Sequence, residues 1–242
     1  MDESLKVLLQ SDTLFSHDID DLFDSLAKVL LNKCVIKVGA KTYRMLEIEF
    51  YLYSLKHQDL ITYPRIDKGG NWFFHQSGVD ICFKSSLKPP VDGKFFLDES
   101  SKFGGILVRS IVEVDKDLNY MINSKPVHGP MKCLDALFKT FGAFDNNRYV
   151  SQIPYIAECP SIKEEIIMQT QRYIPIKDGA RNKIKSVLSS TYLNEEKDVD
   201  VKSAIEFIKE DSSYLYRYYI EPQEVKIWSN YKAKPQNGKR IE

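Results

Sequence analysis

The chain has 242 residues, enough for one large domain or two small ones, and 43% of them are hydrophobic, enough to bury a sizeable core. Lysine plus arginine and aspartate plus glutamate number 34 each, so no global positive field draws the protein to a polyanion and any nucleic-acid contact must be a local patch. No apolar run approaches the roughly 20 residues that cross a bilayer, no secretory leader is evident, and Cys34, Cys82, Cys133 and Cys159 are spaced too widely for a structural zinc, so they read as reduced, mostly buried thiols of a cytoplasmic protein.

Asp18 to Leu31 places Ile19, Leu22, Phe23, Leu26, Val29 and Leu30 at the spacing of a helix with one buried stripe, with Ser16 or Asp18 as its cap. Cys34 to Val38 then predicts a strand, Gly39-Ala40-Lys41 a tight turn, and Thr42 to Leu52 the antiparallel partner. Strand side chains alternate, so Leu46, Ile48, Phe50 and Leu52 share one face while Glu47, Glu49 and Tyr51 share the other. Two acids one residue apart lie roughly 7 Å apart along a strand, an arrangement suited to activating a water but also the pattern of an ordinary solvated face.

From His57 to Asn71 the chain is polar, with Pro64 and Gly69-Gly70 marking a loop. Trp72 to Phe74 is an aromatic run, Val79 to Phe83 a short strand after Gly78, and Pro89, Pro90 and Gly93 mark a second loop. Gly105 to Val114 is nearly all apolar, the signature of a strand buried on both faces, yet it carries Arg109, whose guanidinium must be paired or reach a polar cavity. Gly129-Pro130 opens a helix that Gly142 closes, with Met131, Leu134, Leu137, Phe138 and Phe141 as its stripe. Ser161 to Glu164 has the form of a capping box for a helix reaching Gln169. Arg172 to Ile176 predicts a short strand, Lys183 to Ser189 and Val201 to Lys209 helices, and Tyr214 to Ile220 the last strand of the sheet. These elements predict an α+β fold: a single domain over residues 1–229 with a curved, mostly antiparallel sheet flanked by helices, and a flexible basic tail over 230–242 whose lysines can touch phosphates.

Four segments in this order resemble the alkyladenine (3-methyladenine) DNA glycosylase family of the mixed-sheet type. Arg44 to Tyr51 is similar to the family's catalytic strand with its Glu-Thr-Glu-Ala-Tyr motif, and Trp72 to Phe83 to its aromatic pocket strand with an internal glycine. Gly105 to Val114 is similar to its apolar strand with a single arginine, and His128 to Leu137 to its Gly-Pro-x-Lys-Leu helix start. The likeness spans roughly residues 14 to 145, with a fainter echo at Leu215 to Ile220.

The resemblance implies a monomeric, monofunctional DNA glycosylase of base excision repair that releases a damaged base without metal or organic cofactor. It places Glu49 as the acid that activates the hydrolytic water and Arg109 as its partner, with Tyr51 and Phe74 as the walls of the base pocket. Ser77 stands where the family carries an intercalating tyrosine, and Lys84 where it carries an asparagine that discriminates purines. Cleavage of an N-glycosidic bond passes through an oxocarbenium-like state that a carboxylate can stabilise while it deprotonates the attacking water. Extruding the base costs a few kcal/mol, offset by stacking worth about 1–3 kcal/mol per base. Read from the residues themselves, Glu47 is either a second acid or, more simply, a solvated neighbour, His75 either faces the pocket or does not, and His128 is a helix-entry hydrogen-bonding residue. A module that binds nucleic acid or nucleotide without catalysis, and a hydrolase of free N-glycosides, are the alternatives.

Overall fold

The structure is a computed structural model that describes residues 3–54, 56–121, 124–139, 153–172, 192–193, 214–222, 228, 235 and 237–241. The chain begins with helix α1 (Glu3–Gln10) and a 3-10 turn (Leu14–Ser16), then helix α2 (Ile19–Asn32). Asp18 is the cap of α2: its Oδ1 accepts the backbone N–H groups of Asp20 and Asp21 at 3.0 and 3.2 Å. Leu22, Phe23, Leu26 and Leu30 are its buried stripe, and Phe23 stacks on Phe50 with ring centroids 4.3 Å apart. The predicted hairpin follows as β1 (Cys34–Val38) and β2 (Lys41–Ser54).

Beyond it come β3 (His57–Gln58), β4 (Trp72–His75), β5 (Gly78–Cys82), β6 (Phe95–Phe96), β7 (Phe103–Val114), β8 (Val127–His128) and helix α3 (Pro130–Phe138). The C-terminal part contributes β9 (Tyr155–Glu158), β10 (Ile167–Thr170), β11 (Tyr192–Leu193), β12 (Arg217–Ile220) and β13 (Lys239–Arg240). The main sheet runs β13-β10-β12-β2-β7-β5-β4, with β1, β3, β8 and β9 attached at its margins. Its pairings are antiparallel, whereas β6 and β11 form a separate parallel pair. The protein is therefore an α+β single domain with a mostly antiparallel open sheet and, among the described residues, few helices. No helix among the described residues is long and apolar enough to cross a membrane.

Long strands β2 and β7 form the spine, paired from Thr42–Val114 to Tyr53–Phe103. Both are buried almost throughout. Cys34, Cys82 and Cys133 are buried and Cys159 is partly so, none of them in a disulfide, and burial pushes the Cys82 thiol up to about 12.

Three expectations change. The segment after Ser161 is not a helix: Ile162 N–H closes a turn on the Cys159 carbonyl, and Ile167–Thr170 become β10, paired with β12 on one side and β13 on the other. Two flanking partners satisfy that backbone more fully than a short isolated helix could. The tail is not wholly free either, because Lys239 and Arg240 pair with Gln169 and Met168 and Ile241 is buried. Helix α3 ends at Phe138 with Lys139 as its C-cap, short of the expected end at Gly142, which itself lies outside the described residues, as do the helices at 183–189 and 201–209 and the strand beyond Arg172.

Candidate functional site

In an antiparallel pair, directly opposed residues share a sheet face. The register therefore draws one row across the sheet: Arg217 opposes Glu49, Glu49 opposes Leu107, Leu107 opposes Asp80, and Asp80 opposes Phe73. The next row holds Tyr219, Glu47, Ser110 and His128. This is the face that β2's alternation makes polar, and it is not solvated: Glu47 and Glu49 are both 0% exposed. Glu47 is thus no solvated neighbour but a buried acid.

The register between β2 and β7 is irregular at its centre. Leu46 on β2 and Arg109 on β7 have no directly opposed partner, since Met45 faces Ile111, Glu47 faces Ser110 and Ile48 faces Val108. Such bulges re-aim side chains. Here Arg109 and Ser110, although adjacent in sequence, both reach Glu47. Arg109 Nε donates to Glu47 Oε1 at 3.1 Å and Ser110 Oγ to Glu47 Oε2 at 2.6 Å, while Arg109 Nη1 donates to Glu49 Oε2 at 2.5 Å. Arg217 Nε, from β12, donates to Glu47 Oε1 from the other side. One guanidinium thus bridges the two acids and a second braces one of them. Glu49 and Arg109, singled out sixty residues apart in the sequence, meet in direct contact.

Tyr51 joins them, its hydroxyl donating to Glu49 Oε2 at 3.0 Å. The loss of water around that hydroxyl pushes the phenol well above its ordinary range, and the charge of Glu49 pushes it the same way. Arg172 lies over the Tyr51 ring at 4.7 Å and over Tyr216 at 5.5 Å, donates to the Phe50 carbonyl at 3.2 Å, and pairs with buried Asp59 at 2.7 Å. Tyr216 in turn stacks on exposed Tyr214, with centroids 5.1 Å apart. Rings and guanidinium groups thus run from the surface toward Glu49.

A second buried knot lies along the same face. Arg65 pairs with Asp80 at 2.8 Å and covers the Phe73 ring at 4.2 Å. His75 Nε2 meets Asp80 Oδ1 at 3.0 Å, and His75 Nδ1 accepts the Ser77 N–H at 3.2 Å. Burial alone would raise the Asp80 carboxyl, but His75 and Arg65 outweigh it and hold it below the usual range. His75 is thereby engaged at both ring nitrogens. Ser77 sits beside it, its Oγ 3.2 Å from the Tyr63 hydroxyl.

Four of the predicted site residues do not join Glu47 and Glu49: His75 and Ser77 belong to the Asp80 knot, and Phe74 and Lys84 stand apart from both. Phe74 opposes Val79 and so alternates away from Phe73 and Asp80; it is 52% exposed and meets Phe138 edge-on at 4.7 Å. Lys84 pairs with Asp12 at 2.7 Å beside a cavity of about 210 Å³ lined by Phe15, Ser85, Ser86 and Lys102. Sequence reasoning also missed Arg217, Arg172, Asp59, Asp80, Arg65 and Ser110. Asp80 and Arg217 had a signal of the same kind as Arg109, a charge set inside an apolar, β-prone run.

The arrangement can do three things chemically. It holds carboxylates out of bulk water, it fixes the orientation of each with charged and hydroxyl donors, and it places aromatic rings nearby. No family model and no solved structure matches the chain. An uncharacterized protein of Acanthamoeba polyphaga mimivirus is 25% identical over 150 residues, covering 56% of this chain and 65% of that protein. The match thus spans less than two thirds of that relative, whose name states no activity.

Proposed function

We propose that the protein is a DNA glycosylase-like hydrolase that cleaves the N-glycosidic bond of a modified or damaged base. The observation that carries this reading is the contact of Glu49 with Arg109 and with the Tyr51 hydroxyl on one buried sheet face. In this reaction Glu49 takes the proton of the attacking water and faces the oxocarbenium-like centre, and Arg109 holds the carboxylate and the water in line. Tyr51 and the neighbouring rings offer faces on which an extruded base can stack. The chemistry calls for no redox step.

The test is release of base from DNA. Purified protein is incubated with duplex and single-stranded oligonucleotides carrying damaged or hypermodified bases, and abasic sites are read as alkali-labile breaks. Release by the wild type and its loss in Glu49→Gln, by at least about a hundredfold or 2.7 kcal/mol on the barrier, is the expected result. No release across the whole panel would sink the proposal.

The second reading, a nucleic-acid or nucleotide binding module without catalysis, is favoured by one observation: Glu49 is fully buried, while Phe74 and Lys84 stand away from it. In that case wild type and Glu49→Gln bind the same oligonucleotides with equal affinity and neither releases a base.

A further inference from the structure

We propose that Glu47 is a positioning residue that aims Arg109 at Glu49, and that Ser110 and His128 hold Glu47 through a directed line of protons. The inference rests on the hydrolytic reading of Glu49 and adds residues that reading does not use.

The bulge supplies the geometry. Because Arg109 has no opposed partner on β2, both it and Ser110 address Glu47, one to each carboxylate oxygen, at 3.1 and 2.6 Å. A serine hydroxyl has a single proton, and a carboxylate only accepts. The Ser110 proton is therefore committed to Glu47 Oε2, and Ser110 Oγ must accept at its other contact, His128 Nδ1 at 3.1 Å. That fixes the proton of His128 on Nδ1 and gives the line a single sense, from His128 to Ser110 to Glu47.

The ends of the line are anchored by independent contacts. The His128 ring stacks on Trp228 with centroids 5.0 Å apart, and Trp228 Nε1 donates to the Ile220 carbonyl of β12 at 3.2 Å. The next residue, Gly129, donates its backbone N–H to the Arg109 carbonyl at 2.8 Å. That bond continues the β7–β8 ladder, and Gly129, with φ 105, a conformation that side-chain-bearing residues rarely adopt, then turns the chain into α3. Arg109 is thus held by its backbone through Gly129 and by its head group through Glu47.

The consequence follows from the planarity of guanidinium. With Nε fixed on Glu47, the plane of the head group is set, and Nη1 is delivered to Glu49 at 2.5 Å. Arg217 braces the same oxygen of Glu47 from β12. Without Glu47, the flexible stem of Arg109 lets that plane turn, and a misplacement of about 1 Å can cost up to a hundredfold in rate.

Ser110→Ala is the sharpest probe, since it removes one oxygen from a packed site. Expected are a kcat for base release lower by about tenfold, or 1.4 kcal/mol on the barrier, with KM unchanged, and recovery of kcat in Ser110→Thr, which keeps the hydroxyl. Two-dimensional 15N–1H spectra of the histidine rings should show His128 protonated at Nδ1 in the wild type and not in Ser110→Ala. A Ser110→Ala protein that is merely less stable, with kcat intact, overturns the inference, as does a wild-type His128 carrying its proton on Nε2. An active wild type with an indifferent Ser110→Ala variant removes this inference alone. A wild type that releases no base from any substrate removes both this role and the reaction it serves.

Discussion

His57 and Asp80 show what burial does to single titratable residues. Burial lowers the imidazole pKa of His57 from 6.5, against the pull of Asp59, and among the described residues its Nε2 has no hydrogen-bond partner. A histidine whose folded pKa lies below its unfolded one binds fewer protons when folded, so stability is present above pH 6.5 and is lost as pH falls from there through the folded value. Asp80 has the same sign in a lower window: its depressed folded pKa keeps its contribution intact above pH 3.8 and loses it as the acid form is reached. Urea midpoints measured against pH should therefore fall in two steps. His57→Gln should abolish the upper step and leave the lower, and Asp80→Asn should shrink the lower step, which Asp98 and Asp115 share, and leave the upper. An unchanged profile in both variants would contradict these environments.

At the scale of elements, β2 and β7 owe their chemistry to two irregularities and a glycine. A regular pairing would alternate Arg109 and Ser110 to opposite faces and leave Glu47 with one of them. Gly105 plays the complementary part, because a Cβ there would lie 2.5 Å from Arg65 Nη1, 3.0 Å from the Ile81 carbonyl and 3.1 Å from Asp80 Cβ. Its missing side chain is the space in which Arg65 reaches Asp80. Gly105→Ala is expected to displace the guanidinium and cost about 1–3 kcal/mol, read as a lower urea midpoint, and to release the protection of the Arg65 Nε–H in hydrogen exchange. Since Arg65 can be removed separately, the double variant Gly105→Ala, Arg65→Met should lose less than the sum of its parts.

At the scale of the whole molecule, one sheet face is packed by hydrocarbon and the other by charge. Phe23, Phe50, Phe83 and Ile48 build the first under α2, where ordinary burial stabilises the fold. Among the described residues, Glu47, Glu49, Asp59 and Asp80 meet Arg109, Arg217, Arg172 and Arg65 on or beside the second. Buried ion pairs stabilise little in themselves, though removing one partner of such a pair costs about 3–5 kcal/mol. The charged face therefore adds little net stability over a hydrocarbon face of the same volume, yet each of its pairs is costly to break. The chain's end also belongs to the sheet: Ile241→Asp should lower stability by about 2–3 kcal/mol, or roughly 4–12 °C in Tm at this size, where a detached tail would give no change in a thermal melt.

Local pattern in the sequence determined the early helix, the β1–β2 hairpin, the buried strand around Arg109 and the Pro130 helix, because period and punctuation are properties of neighbouring residues. It also singled out Glu47, Glu49, Tyr51 and Arg109, since acids on a polar strand face and a lone charge in an apolar run are visible without a fold, whereas the glycosylase resemblance alone put Glu49 ahead of Glu47. Only the tertiary structure decided that the polar face is dry, that Glu47 is held by Arg109, Ser110 and Arg217, and that Phe73 rather than Phe74 shares the row with Glu49. It also decided that Ile167–Thr170 is strand. The Glu47 contacts depend on register and bulges between strands 62 to 170 residues apart, the strand at Ile167–Thr170 on partners from Arg217 onward, and cross-strand pairing of that range leaves no periodic trace in the chain itself.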